Sequence, residues 1–102
     1  MNGIEMIKAE RERQIAKEGW TPEHDAHHIL GELSIAAACY AKVASALARW
    51  KPDEIAWSAP GAWPWDGGWW KPSPDPVHNL VKAGALIAAE IDRLQSAKEA
   101  TK

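Results

Sequence analysis

The chain has 102 residues, of which 46% are hydrophobic and 25% are charged, and its formal net charge is −2 at pH 7. These values are typical of one globular domain and exclude a largely disordered chain. The slightly negative charge argues against DNA or RNA as a partner, because binding by phosphate neutralisation leaves a basic footprint on the protein.

The single cysteine, Cys39, lies in an alanine-rich stretch. One cysteine cannot form an internal disulfide, so we expect a buried, unreactive thiol in a reducing compartment. The first residues contain no apolar run of the signal-peptide type. The longest uncharged helical stretch, residues 33–41, is far shorter than the ~20 residues that a bilayer span needs. We therefore expect a cytoplasmic protein without a membrane partner.

The first predicted helix runs from about Asn2 to Glu18. Ile4, Ile7 and Ile15 mark its apolar face at helical spacing. Gly19 is expected to end it, because glycine readily adopts the left-handed conformation found just after a helix.

The second predicted helix runs from Thr21 to about Arg49. A capping hydroxyl followed by Pro22 is typical of a helix start. Spacings of three and four residues predict a core-facing stripe, which consists of Leu33, Ala36, Tyr40, Val43 and Leu47. Numerous alanines keep this helix slim, so the third helix or the same helix of a second subunit could approach it closely.

The composition changes between Lys51 and Asp75, a proline-rich segment that holds five of the seven tryptophans: Trp57, Trp63, Trp65, Trp69 and Trp70. A connection of about 25 residues is long for a loop, and such loops are usually functional or packed by their own side chains. Indole rings are large apolar surfaces that proteins bury. We expect this segment to fold back over the helices as a lid.

Asp75 and Pro76 repeat the cap-and-proline signal and predict a third helix to about Lys98. Its predicted apolar face consists of Val77, Leu80, Gly84, Ile87, Ile91 and Leu94. The chain shows no internal repeat, no heptad run and no strand-like alternation. The predicted fold is therefore all-α, a three-helix hairpin or bundle within one domain (1–102), with the tryptophan-rich loop packed over it.

Three residues suggest a metal site near the start of the second predicted helix. His24, His28 and Glu32 lie at positions i, i+4 and i+8 and would share one face of it. Two histidines one turn apart and a carboxylate can ligate a divalent metal. The alternative is that these polar side chains are simply solvated.

Glu32 and Glu90 lie beside the predicted apolar stripes of two helices. A carboxylate in such a position is costly to desolvate unless it is paired or binds a ligand. Arg11 lies in the row of apolar residues on the first helix, so its guanidinium could point inward and grip a carboxylate or phosphate. The alternatives are a ligand or magnesium site built from the two glutamates, or structural ion pairs of the glutamates with Arg11 or Lys82.

The tryptophan-rich loop is another candidate binding site. Aromatic rings stack on nucleobases, and a neighbouring cation such as Lys71 can bind phosphate. The candidate rings are Trp63, Trp65, Trp69 and Trp70. For most of them the alternative is plain packing in the core.

Several short strings together resemble a family of small, largely uncharacterised phage and prophage proteins. They are ERQ at 12–14, GWTPEHD at 19–25, GEL at 31–33, WPW at 63–65, WWKP at 69–72, LVKAGALI at 80–87 and AEI at 89–91. The resemblance covers nearly the whole chain. Where the family pattern continues with polar or acidic residues after Asp25, this chain has Ala26 and His27.

The phage resemblance implies a non-catalytic binder that sequesters a nucleotide-like signal of host immunity, without a cofactor and as a dimer or higher homo-oligomer. This is an analogy, because unrelated small helical phage proteins act in that way. One alternative is similarity to the all-α MazG-like pyrophosphohydrolases, whose ExxE and ExxD motifs bind magnesium. Neither motif is intact here. The positions four and three residues before Glu32 hold His28 and Ile29, and the position three residues after Glu90 holds Arg93. Another alternative is an interaction module that inhibits a host protein.

Overall fold

The computed structural model describes residues 1–100 of the chain. Four α-helices, α1 (Gly3–Glu18), α2 (Pro22–Asp25), α3 (Glu32–Leu47) and α4 (Pro76–Ala100), alternate with connections that include two short 3-10 turns, Pro52–Glu54 and Gly67–Trp69. No strand occurs in this part of the chain. The all-α prediction is confirmed.

α4 is the central helix, because α1, α2 and α3 all pack against it. The first helix begins and ends as its sequence predicts. The side chain of Asn2 accepts a hydrogen bond from the Glu5 backbone N–H at 2.9 Å, and Gly19 ends the helix at φ 72°. Asp75 caps α4 in a similar way, because its carboxylate accepts the Val77 N–H at 2.9 Å.

The prediction of one continuous second helix is wrong. Thr21 caps α2 as expected, with its hydroxyl 3.2 Å from the His24 N–H, but α2 ends after one turn. Residues 26–31 form turns, and Gly31 stands at the start of α3 with φ 80°. This left-handed conformation is accessible to glycine at little cost and is incompatible with an uninterrupted α-helix.

The core lies between α3, α4 and the long loop. Its buried members from the helices are Leu33, Ala36, Ala37, Cys39, Tyr40, Ala83, Leu86 and Ala89. Trp63 and Trp70 of the loop complete it by packing on Tyr40, with ring centroids 5.7 and 4.7 Å away. The predicted lid is thus confirmed, and so is the burial of Cys39.

Buried hydrogen bonds fasten the end of the loop to both helices. The hydroxyl of Tyr40 in α3 accepts the Lys71 backbone N–H at 3.2 Å. The side-chain amide of Asn79 in α4 is fully buried, and it bonds both the N–H and the carbonyl of Ser73 at 2.8 and 2.7 Å. Because the oxygen and the nitrogen of the Asn79 amide each have a hydrogen-bond partner, this polar side chain can occupy the interior.

The predicted apolar faces of two helices are partly wrong. On α4, Val77, Leu80, Ile87, Ile91 and Leu94 are 45–53% exposed, whereas the adjacent row of Asn79, Ala83, Leu86 and Glu90 is buried. On α1, Ile4 is exposed, Ile7 and Ile15 are half-buried, and Gln14 is buried. The stripe predicted for α3 is confirmed, with Leu33, Ala36 and Tyr40 buried and Val43 and Leu47 half-buried.

Within residues 1–100, no helix combines the length and the apolar character that crossing a bilayer requires.

The different positions of two neighbouring tryptophans predict different effects on stability. Trp70 is 8% exposed and Trp69 is 46% exposed. Trp70→Ala should lower the free energy of unfolding by about 3–5 kcal/mol, because it leaves a large cavity in the core. Trp69→Ala should change it by less than about 1 kcal/mol, as most surface substitutions do. Urea unfolding followed by circular dichroism measures both, and equal losses would contradict this division of the loop.

Candidate functional site

An aromatic pocket opens between the α1–α2 connection and the long loop. Its walls include the indoles of Trp20, Trp65 and Trp69 and the imidazoles of His24 and His28, and its volume is about 260 Å³. The Trp20 centroid lies 5.9 Å from that of Trp65 and 6.4 Å from that of Trp69. The His28 ring lies 5.1 Å from Trp65 and 4.9 Å from His24. Such a concave, ring-lined cavity is the usual setting for a small ligand.

The backbone of the pocket is held by Arg11. Its Nη1 donates to the Trp20 carbonyl at 2.9 Å, and its Nη2 donates to the Asp25 carboxylate at 2.7 Å. The side chain of Arg11 is 11% exposed and that of Asp25 is 3% exposed. The sequence correctly predicted an inward guanidinium on α1, but its partner is Asp25 and neither Glu32 nor Glu90.

The opposite wall is shaped by a turn in the loop. The Asp66 carboxylate accepts the Gly68 N–H at 2.8 Å and caps the 3-10 turn that carries Trp69. Trp63 donates its indole N–H to the Asp66 carbonyl at 3.1 Å, which ties the turn to the core. The positions of Trp65 and Trp69 therefore depend on the buried Trp63.

The charged residues that line the pocket are acidic. They are Glu18, Asp66 and the buried Asp25, and no lysine or arginine within residues 1–100 lines it. Carboxylates accept hydrogen bonds from N–H and NH₂ groups. The pocket therefore favours a flat ligand that carries such donors over a bare phosphate.

A second, narrow cleft of about 20 Å³ lies on the other side of Trp20 and Trp69, which line both cavities. Three cations, Arg13, Lys71 and Lys82, line this cleft, which we call the cationic cleft, together with Glu10 and Glu18. Both carboxylates bond Arg13, so the two lysines supply its unpaired positive charge. The Lys71 ammonium lies 5.6 Å from the centre of the Trp69 ring, in the range of a cation–π contact. Lys82 donates to the Lys71 carbonyl, and burial lowers the pKa of its ammonium.

Two buried or half-buried polar groups line the cationic cleft beside these lysines. Burial alone would raise the pKa of Glu10, but hydrogen bonds from Arg13 and its charge outweigh this effect and hold that pKa below its ordinary value. Gln14 is 2% exposed and donates to Glu10 at 3.1 Å, while its Oε1 is buried without a partner among the described residues. An unpaired buried acceptor is unusual and destabilising.

Glu32 and Glu90 do not meet at a common ligand pocket. Glu90 is buried and receives hydrogen bonds from Arg93 at 2.5 and 3.3 Å and from the Ser34 hydroxyl at 3.5 Å. Glu32 accepts the Leu30 N–H at 2.6 Å. Neither carboxylate lines the aromatic pocket.

The predicted metal residues come together only in part. His28 lies 3.5 Å from Glu32 and packs against His24, although the helix assumed to align them is broken. Residues 1–100 contain no group of three or more histidine, cysteine or acidic side chains arranged to hold a metal ion.

The four loop tryptophans predicted to bind a ligand divide into two pairs. Trp65 and Trp69 line the aromatic pocket. Trp63 and Trp70 belong to the core cluster, as the packing alternative anticipated. Lys71 stands beside Trp69 as the prediction required.

Sequence reasoning missed Trp20, which lines both cavities. The usable signal in the sequence is Gly19, whose left-handed turn ends α1 and redirects the chain directly before Trp20.

No family model, curated protein or solved structure matches the chain. The site is therefore interpreted from its own geometry.

The Arg11–Asp25 pair generates a stability prediction. Asp25→Ala leaves a buried guanidinium without its carboxylate, which should cost about 3–5 kcal/mol of unfolding free energy. Glu23→Ala, an exposed acid two residues earlier, should cost less than about 0.5 kcal/mol. Urea denaturation of both variants checks this expectation, and a loss below about 1 kcal/mol for Asp25→Ala would show that the pair does not hold the pocket together.

Proposed function

We propose that the protein binds a nucleotide-like small molecule without turning it over. The observation that carries the proposal is the aromatic pocket, in which three indoles and two imidazoles surround about 260 Å³. Stacking on aromatic side chains is worth about 1–3 kcal/mol per base and tolerates any base, because every base has a flat face.

We place the base in the aromatic pocket and the phosphate outside the cationic cleft, beside the exposed Lys71, because the cleft of about 20 Å³ has room for no more than a water molecule. The ring N–H and NH₂ groups of a base can donate hydrogen bonds to the carboxylates of Glu18 and Asp66. The phosphate would lie beyond Trp69, near Lys71, because the charged residues that line the aromatic pocket are acidic.

The biological role that we propose rests on the phage resemblance of the sequence. A protein that sequesters a nucleotide signal needs affinity and no chemistry, and the arrangement of the site agrees with that requirement. The carboxylates that a MazG-like enzyme would use for magnesium, Glu32 and Glu90, are instead engaged by the Leu30 N–H and by Arg93. These contacts favour a nucleotide-binding protein over a pyrophosphohydrolase.

A nucleotide panel tests the proposal. Nucleoside monophosphates and cyclic mono- and dinucleotides are added with and without magnesium, and binding is measured by thermal shift and calorimetry. A ligand at a hundred times its dissociation constant should add about 2.7 kcal/mol to the stability. Chromatography of each bound compound should return it intact, whereas a cleaved product would establish an enzyme.

Two matched tryptophan variants locate the site. Trp69→Ala should weaken binding about 5- to 150-fold, the equivalent of losing 1–3 kcal/mol of stacking. Trp50→Ala is the control, because Trp50 is similarly exposed, at 52% against 46%, and does not line the aromatic pocket. Equal effects of the two variants, or no binding of any nucleotide, would refute the proposed site.

A further inference from the structure

The large aliphatic side chains of this protein are mostly outside its core. None of its isoleucines, all of which lie within residues 1–100, is buried, and Leu33 and Leu86 are its only buried leucines. Alanines and aromatic rings fill the interior instead. Isoleucine and leucine are among the residues that proteins bury most often. Their exposure here indicates that the surface of a binding partner covers them.

Five of the exposed aliphatics form a continuous line on α4, which we call the α4 stripe: Val77, Leu80, Ile87, Ile91 and Leu94. With Gly84 they follow one another at intervals of three, four, three, four and three residues. This is the spacing of the a and d positions in a heptad pattern. The run covers only about two and a half heptads, which is too short to be recognised as a heptad repeat from the sequence alone.

The gap in the stripe at Gly84 is closed by α1. A Cβ atom at position 84 would lie 2.5 Å from Cδ1 of Ile7, so any larger residue there would force the Ile7 side chain to move. Ile7 therefore lies against α4 where the a/d pattern lacks a side chain. The exposed Ile4 stands one turn away from it on the same helix.

We propose that the α4 stripe is the interface of a two-fold symmetric homodimer, in which α4 of one subunit packs along α4 of the other. A heptad-spaced seam is complementary to a copy of itself, which is what a two-fold interface requires.

The residues that flank the stripe fit a second copy. At the adjacent positions stand Val81, Ala83, Ala88 and Gln95, which are uncharged, together with Glu90. The carboxylate of Glu90 is buried and paired with Arg93 inside its own subunit. Along α4, two copies would thus bring no like charges together, whereas a strongly charged partner would find no complementary charge there.

The size of the surface is also sufficient. Val77 to Leu94 span about 26 Å of helix at about 1.5 Å per residue. A helix with its side chains is about 10 Å across, so α4 and the adjacent α1 together form a face about 20 Å wide. Roughly 500 Å² per subunit and 1,000 Å² in total would then be buried, which is at the lower limit of specific interfaces.

Light scattering after size exclusion, over a range of protein concentrations, tests the inference. The wild-type chain should have twice the monomer mass of 11.2 kDa. Ile87→Glu should give the monomer mass, because it places a charge in the middle of the seam. Ile35→Glu is the control, a similarly exposed isoleucine on α3 (42% against 49%), and should remain dimeric.

Cysteine cross-linking identifies the pairing. The midpoint of the stripe, from Val77 to Leu94, lies between Gly84 and Ile87. In a parallel dimer Leu80→Cys should cross-link to itself, whereas in an antiparallel dimer centred on the stripe it should cross-link to Ile91→Cys, which lies at the same distance on the other side of the midpoint. A monomeric wild type, equal behaviour of the two glutamate variants, or the absence of both cross-links would overturn the inference. Since the stripe does not line the aromatic pocket, nucleotide binding measured on folded Ile87→Glu separates a failure of this interface from a failure of the proposed function.

Discussion

The buried ion pair between Arg11 and Asp25 is the interaction on which the rest of the site depends. One guanidinium holds both the carboxylate of α2 and the backbone carbonyl of Trp20, so α1, α2 and one wall of the pocket are fixed relative to each other. Breaking a buried pair is strongly destabilising because the remaining charge has no compensation. The short α2 has little stability of its own, since isolated helices need more than a dozen residues. Its place in the fold comes from this contact.

Three of the helix ends were predictable from the sequence because their causes are local. Gly19, Thr21 and Asp75 each act on backbone groups within a few residues, and all three do in the structure what the sequence indicates. The lid was predictable for a related reason, because tryptophans in a long loop have to be buried somewhere. Which of those rings would be buried was not predictable. Trp69 and Trp70 are neighbours with the same chemistry, and only the three-dimensional path of the loop separates them.

The failures have a common physical origin. Hydrophobic periodicity shows where the apolar residues of a helix lie, but it does not show which surface covers them. On α4 the buried row includes Asn79 and Glu90, which the interior accepts because Ser73 and Arg93 satisfy them. The more apolar row, the α4 stripe, is exposed to solvent. Likewise, a glycine at position 31 is compatible with either an intact or a broken helix. The contact between Arg11 and the buried carboxylate of Asp25 is a tertiary contact, and no local sequence pattern predicts it.

The fastening of the loop by Tyr40 and Asn79 has an evolutionary consequence. These side chains hold the backbone of residues 71–73, so the course of the chain there does not depend on the exposed Lys71 side chain, whose described contact is with the Trp69 ring. A change from lysine to another residue at this position would therefore alter the charge presented beside Trp69 while the surrounding chain keeps its course. Under the function proposed above, single substitutions at this position would change the preference for one anionic ligand over another without endangering the scaffold.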